Sequence, residues 1–168
     1  MLSYIHISLI LIHLTSLNKA TILINCVCLS LHVLSPYPCI LMNNLDKCSL
    51  HIVRCENTSI HDVSIYGDFN TPNNDGIDIE DSNNTVITRC HIDTGDDAIC
   101  PKTYTSPLYN LTVKNCWIRT KSSAIKLGSA SWFEFKNMVF DNINIVDSHR
   151  GLGFQIRDGG NIIWFTQA

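Results

Sequence analysis

Four short segments of the chain repeat one pattern of polar and apolar positions: NTSIHDVSI from Asn57, NTVITRCHI from Asn84, NLTVKNCWI from Asn110 and NMVFDNINI from Asn137. Their leading asparagines are 27, 26 and 27 residues apart. Each segment ends in isoleucine, at Ile65, Ile92, Ile118 and Ile145. Two positions earlier stand Val63, Cys90, Cys116 and Ile143; five positions earlier stand Ile60, Ile87, Val113 and Phe140. Apolar residues at alternate positions mark a strand with one buried face, and few stretches carry the 3.6-residue stripe of a helix. A repeat of this length, made of short strands and Asn, Asp and Gly turns, packs most economically as a parallel β-solenoid with one coil per repeat. Equivalent residues then stack about 4.8 Å apart. The repeated Ile, Val and Phe form interior columns. Cys90 and Cys116 share a column as small buried hydrophobes, with a disulfide between them as the lesser alternative. The leading asparagines are turn residues whose amides are placed to form a hydrogen-bonded ladder.

A second series follows these strands: Asp75-Gly76-Ile77-Asp78-Ile79, Asp97-Ala98-Ile99-Cys100, Ser123-Ala124-Ile125-Lys126-Leu127 and Leu152-Gly153-Phe154-Gln155-Ile156. Stacked in register, Asp75, Asp97 and Ser123 occupy one place on three neighbouring coils, with Asp96 immediately before Asp97. Three carboxylates at one surface cost stability, because each disfavours the ionisation of the next. The same repulsion can hold a proton on one of them and set an acid beside a base, the division of labour that glycosidic-bond hydrolysis needs. Two other readings of the acidic residues stay open at this point: a calcium site, since clustered carboxylates bind hard cations, and ordinary acidic turns.

Composition divides the chain. Residues 1–45 carry a single charged residue, Lys19, and are rich in Leu, Ile, Val and Cys. This apolar segment has neither the basic start nor the small-residue cleavage site of a good secretory leader. Met1–Leu14 is shorter than the roughly 18 apolar residues of a membrane span. A signal-like segment, a membrane anchor and a truncated or misread gene model are its three readings. Residues 46–161 hold the solenoid, and residues 162–168 a tail in which the repeat has stopped. The net charge of −3 and 16% charged content argue against a disordered chain and against a general nucleic-acid binder. None of the eight cysteines shows the C-x-x-C spacing of a structural zinc site. Sequons at Asn57, Asn83 and Asn110 permit N-glycosylation in an exported chain.

The acidic segments carry a family resemblance. Asn73-Asn74-Asp75-Gly76-Ile77-Asp78 resembles the N-T-D-G-I-D motif of polygalacturonases, glycoside hydrolase family 28. Thr94-Gly95-Asp96-Asp97-Ala98-Ile99 resembles their T-G-D-D-C-I motif, with Ala98 in place of the cysteine. The resemblance covers about residues 48–161. It implies an all-β, right-handed parallel β-helix of the pectin-lyase-like type, here about four to five coils. It also implies cleavage of α-linked galacturonic acid backbones with inversion and without a metal or other cofactor. Carried over by motif, Asp96 is the general acid, and Asp75 and Asp97 hold and activate the attacking water. Inversion asks for acid and base carboxyls about 6.5–9.5 Å apart, a spacing expected between Asp96 and Asp75.

Two motifs depart from the family. Ser122-Ser123-Ala124-Ile125-Lys126-Leu127-Gly128-Ser129 aligns with G-H-G-[IL]-S-I-G-S and has Ser123 in place of the histidine. Gln155-Ile156-Arg157 aligns with the carboxylate-binding R-I-K, with Gln155 and Arg157 in the Arg and Lys places. Lys126, Gln155 and Arg157 are therefore the expected substrate-binding set. Arg150-Gly151-Leu152-Gly153-Phe154-Gln155-Ile156-Arg157-Asp158 is similar to the R-G-[LI]-G-x-Q-I-R-D of a plant subgroup of probable polygalacturonases.

The expected protein is a secreted cell-wall hydrolase of pectic polysaccharide, a monomer without nucleic-acid or membrane partners. Coils without recognisable end caps predict a fragment of low independent stability. The rivals are a truncated β-helix that at most binds pectin, and a calcium-dependent pectate lyase.

Overall fold

The computed structural model describes residues 5–9, 22–25, 29–33, 41–43 and 50–167. The three readings of the N-terminal segment and the pairing of Cys26, Cys28, Cys39 and Cys48 lie outside the described residues. Among the described residues sixteen strands follow one another: β1 (Ile5–Leu9), β2 (Ile22–Asn25), β3 (Leu29–Val33), β4 (Leu41–Asn43), β5 (Leu50–Val53), β6 (Ser59–His61), β7 (Ser64–Tyr66), β8 (Ile77–Glu80), β9 (Thr85–Thr88), β10 (His91–Thr94), β11 (Ile99–Lys102), β12 (Leu108–Thr120), β13 (Ser123–Ser129), β14 (Phe135–Ile145), β15 (Arg150–Ile156) and β16 (Ile162–Gln167). One sheet runs β15-β13-β11-β8-β5-β2, and a larger one collects the remaining strands. Apart from the antiparallel pair β1 and β3, the strand pairs are parallel. The chain thus winds as a parallel β-solenoid, alternating between the two sheets.

The register reproduces the predicted columns. Ile65, Ile92, Ile118 and Ile145 are successive partners, as are Ile60, Ile87, Val113 and Phe140. The first three members of each column are fully buried. Full burial of such a side chain stabilises by roughly 1.5–3 kcal/mol, and its repetition at every coil drives the winding. Cys90 and Cys116 lie buried in the core as free thiols, so the disulfide alternative does not hold.

Corners are built by residues in the left-handed region, which Asn and Asp tolerate better than other side chains. The leading asparagines have φ of 56°, 53°, 57° and 54° at Asn57, Asn84, Asn110 and Asn137. Their amides form the expected ladder: Asn110 Nδ2 donates to Asn84 Oδ1 at 2.8 Å, and Asn137 Nδ2 to Asn110 Oδ1 at 3.0 Å. Two sequon asparagines are thereby committed. Asn110 belongs to the ladder, while buried Asn83 donates to Glu56 and accepts from the Tyr109 N–H.

Two details differ from the sequence pattern. The fourth member of the second series enters two residues early: Ser123 pairs with Arg150, and Ile125 with Leu152. A shift of two keeps every side chain on its own face, so hydrophobic alternation alone does not distinguish the two registers. The winding also continues past Asn161, because Ile162 pairs with Phe135 and carries β16 along β14. Among the described residues no helix is long and apolar enough to cross a membrane.

Replacing Asn110 by Ala removes both ladder bonds and leaves a β-carbon in left-handed backbone. The expected loss is about 2 kcal/mol, read from the urea midpoint. Asn110→Gly should recover the conformational part. An unchanged midpoint for the alanine variant would show that the ladder contributes nothing.

Candidate active site

The corner leading from the larger sheet into β11 carries Asp96 and Asp97, and the corner one coil below carries Asp75. Parallel pairing aligns them. Gly76 N donates to Asp97 O at 2.9 Å, Ile77 N to Ala98 O at 2.8 Å and Ala98 N to Ser123 O at 2.9 Å. Ile77, Ile99 and Ile125 are partners, which places Asp75, Asp97 and Ser123 two residues upstream on successive coils. One carboxylate oxygen from each of Asp75, Asp96 and Asp97 lies within 4.8 Å of those from the other two.

The corner before Asp75 is longer than its neighbours. Twelve residue numbers separate Ile65 from Ile77, whereas seven separate Ile92 from Ile99. The extra residues buttress the acidic cluster. Asn73 N donates to Asp96 Oδ2 at 3.0 Å, and Asp97 N donates to Asp96 Oδ1 at 2.9 Å. Gly95 allows this approach, since a β-carbon there would stand 2.5 Å from the Thr71 carbonyl oxygen. On the outer side of the same loop, Phe69 lies under the Arg119 guanidinium, 4.4 Å from ring centroid to Cζ.

Three neighbouring carboxylates survive because two lysines and a set of donors divide them. Asp97 is almost fully buried. Its Oδ1 accepts from Ser122 Oγ at 2.7 Å and Ser123 N at 3.0 Å, and its Oδ2 is bound by Lys126 Nζ. Burial pushes this carboxyl up, but the Lys126 ammonium and the two serine donors outweigh it and hold Asp97 below the usual carboxylate range. Asp75 has the opposite balance. Burial, with the negative charges of Asp78, Asp96 and Asp97, pushes it up to about 7 against the pull of Lys102. Lys102 Nζ lies 2.6 Å from Asp78 Oδ2 and 3.5 Å from Asp75 Oδ2. Burial presses its ammonium down, but Cys100, Asp78 and Asp75 prevail and keep it above the usual lysine range.

An open cleft of about 410 Å³ extends from Asp97 to β15, with Ser122, Lys126, Arg150, Phe154 and Gln155 in its wall. Of the expected substrate-binding set, Lys126 and Gln155 line it. Arg157 does not: it is exposed, and its backbone N–H donates to Ser131 Oγ at 2.9 Å. Lys102, Ser122 and Arg150 were not singled out from sequence. Alternation from the inward Ile99 puts Cys100 and Lys102 on the opposite face, where Lys102 pairs with Glu80 and reaches diagonally to Asp78, which is the signal that finds it. Ser122 is found through the register that lays Ser123 over Asp97.

The three carboxylate oxygens are close enough together to share a divalent cation. The donor set does not suit one. Calcium takes 6–8 oxygen ligands, whereas the Asp97 oxygens are occupied by an ammonium and two serine donors, and a second ammonium sits beside Asp75.

The comparisons agree with this architecture. Residues 38–159 match the family model for glycosyl hydrolases family 28. The chain belongs to that family. It is 32% identical over 116 residues to a polygalacturonase of Juniperus ashei, covering 66% of this chain and 22% of the relative. A probable polygalacturonase of Arabidopsis thaliana is 40% identical over 60 residues, which cover 36% of this chain and 13% of that protein. The crystal structure of a hyperthermoactive exopolygalacturonase from Thermotoga maritima superposes with a TM-score of 0.63 at 24% identity, over 72% of this chain and 33% of that one. The chain thus spans about a fifth of the length of the polygalacturonase from Juniperus.

The raised Asp75 sets a sign for stability. The folded state holds a proton on Asp75 that the unfolded chain, with an ordinary carboxyl near 3.8, releases at lower pH. This contribution is complete below about pH 4 and is lost as pH rises through about 7. Asp75→Asn should therefore match the parent at pH 4 and exceed it by about 2–4 kcal/mol at pH 8, measured by urea unfolding. Parallel pH profiles for the two proteins would contradict the assignment.

Proposed function

We propose that the corner of Asp75, Asp96 and Asp97 hydrolyses glycosidic bonds in pectic polysaccharide by acid–base catalysis, as in a polygalacturonase. The observation that carries this is the contrast in proton affinity inside one cluster. Asp97 is held ionised by Lys126 and the serine donors, while Asp75 retains a proton up to about pH 7. Hydrolysis needs a group that gives a proton to the leaving oxygen and another that takes one from water. One carboxylate oxygen of each of the three acids lies within 4.8 Å of the others, so the proton on Asp75 sits beside both of its neighbours. In this reading Asp96 passes a proton to the glycosidic oxygen, and Asp75 and Asp97 hold the attacking water. Lys126, Gln155 and Arg157 are the substrate-binding side chains carried over from the family motifs, and the cleft wall favours the first two. Inversion rests on family membership, not on the compact oxygen spacing.

The substrate is a cell-wall polymer, so the reading places the enzyme outside the cell, working as a monomer without nucleic-acid or membrane partners. It needs no metal. Asp75 gives up its proton as pH climbs through about 7, so the rate should fall there. The ionised Asp97 should sustain it down into the ordinary carboxylate range.

The test is homogalacturonan and rhamnogalacturonan digested by the full chain in EDTA, followed by proton NMR and reducing-end release. The β anomer should appear first, and Asp96→Asn should release at least about 100-fold less sugar. Equal release by both proteins would remove Asp96 from the acid's role. Loss of activity in EDTA would favour the lyase-like alternative.

A further inference from the structure

A polyuronate approaching this corner meets acidic side chains, and cations must offset the repulsion. The charged side chains near the cleft are already committed, with one exception. Lys126 is bound to Asp97, and Lys102 lies between Asp78 and Asp75. Arg157 is outside the cleft lining, and Gln155, in the place of the family's arginine, is neutral. Arg150 remains. It opens β15, pairs with Ser123 of β13, is exposed, and lines the cleft together with Asp97 and Phe154. Among the described residues no carboxylate lies within ion-pair distance of its guanidinium.

We infer that Arg150 binds the carboxylate of the galacturonate unit seated in the cleft beside Asp97, supplying from the start of β15 the cation that Gln155 does not. The inference rests on the pectic reading of the cleft. A guanidinium stays charged at every pH of interest and presents two parallel N–H donors, the geometry a carboxylate accepts best. Phe154 stands exposed in the same wall. Esterifying the uronate removes the charge that Arg150 reads, so Arg150 makes the cleft selective for unesterified units.

The test is calorimetric titration of the full chain, and of Arg150→Gln and Lys136→Gln, with trigalacturonate and with its methyl ester; Lys136 is an exposed cation of β14 outside the cleft lining. Circular dichroism checks that the exposed substitutions leave the fold intact. Arg150→Gln should weaken trigalacturonate binding about tenfold or more, leave the methyl ester unaffected, and differ in this from Lys136→Gln. If Arg150→Gln binds trigalacturonate like the parent, or if Lys136→Gln shows the same loss, the assignment is overturned while the pectic reading stands. If the parent binds neither ligand, both fall together.

Discussion

Parallel, in-register pairing of successive coils is the constraint on which the rest of the structure depends. It holds neighbouring strands about 4.8 Å apart and allows almost no freedom of phase, because a slip of one residue would turn the Ile columns to solvent. The core therefore decides the chemistry. Once Ile77 is paired with Ile99 and Ile99 with Ile125, Asp75, Asp97 and Ser123 follow. The burial of a row of isoleucines offsets the cost of bringing three acids together.

That cost is moderated locally. Lys126 and Lys102 are each paired with a buried carboxylate. Lys126 and the two serines fix Asp97 as an anion, and Lys102 lies against Asp78. Asp75 has only a longer contact with Lys102, and it takes up the proton that its burial, together with the remaining repulsion, demands. Replacement of the family's histidine by Ser123 and the arrival of Lys126 leave the corner with its own means of holding Asp97 charged. Arg150 is then left to face outward.

Much of this was legible in the sequence. The 27-residue spacing and the terminal isoleucines gave the solenoid, and the matched Asp-Gly-Ile and Asp-Ala-Ile segments placed Asp75 over Asp97. What was not legible has physical reasons. Alternation with a period of two leaves a shift of two undetermined, so the entry of β15 at Arg150 is set by the preceding corner. Long side chains choose among partners only when all neighbours are in place, which hid the attachment of Lys126 to Asp97 and of Lys102 to Asp78. The lengthened loop before Asp75 reads as ordinary turn sequence, yet it donates the Asn73 N–H to Asp96.

The central claim is that neighbouring coils make Asp75, Asp96 and Asp97 one electrostatic unit. Carbon-13 NMR titration of the aspartate carboxyls tests it most directly, in the parent and in Asp97→Asn. The account predicts Asp75 titrating near pH 7 in the parent and moving toward the ordinary aspartate range when the Asp97 charge is removed. An Asp75 that titrates near pH 4 in both proteins, indifferent to residue 97, would contradict it.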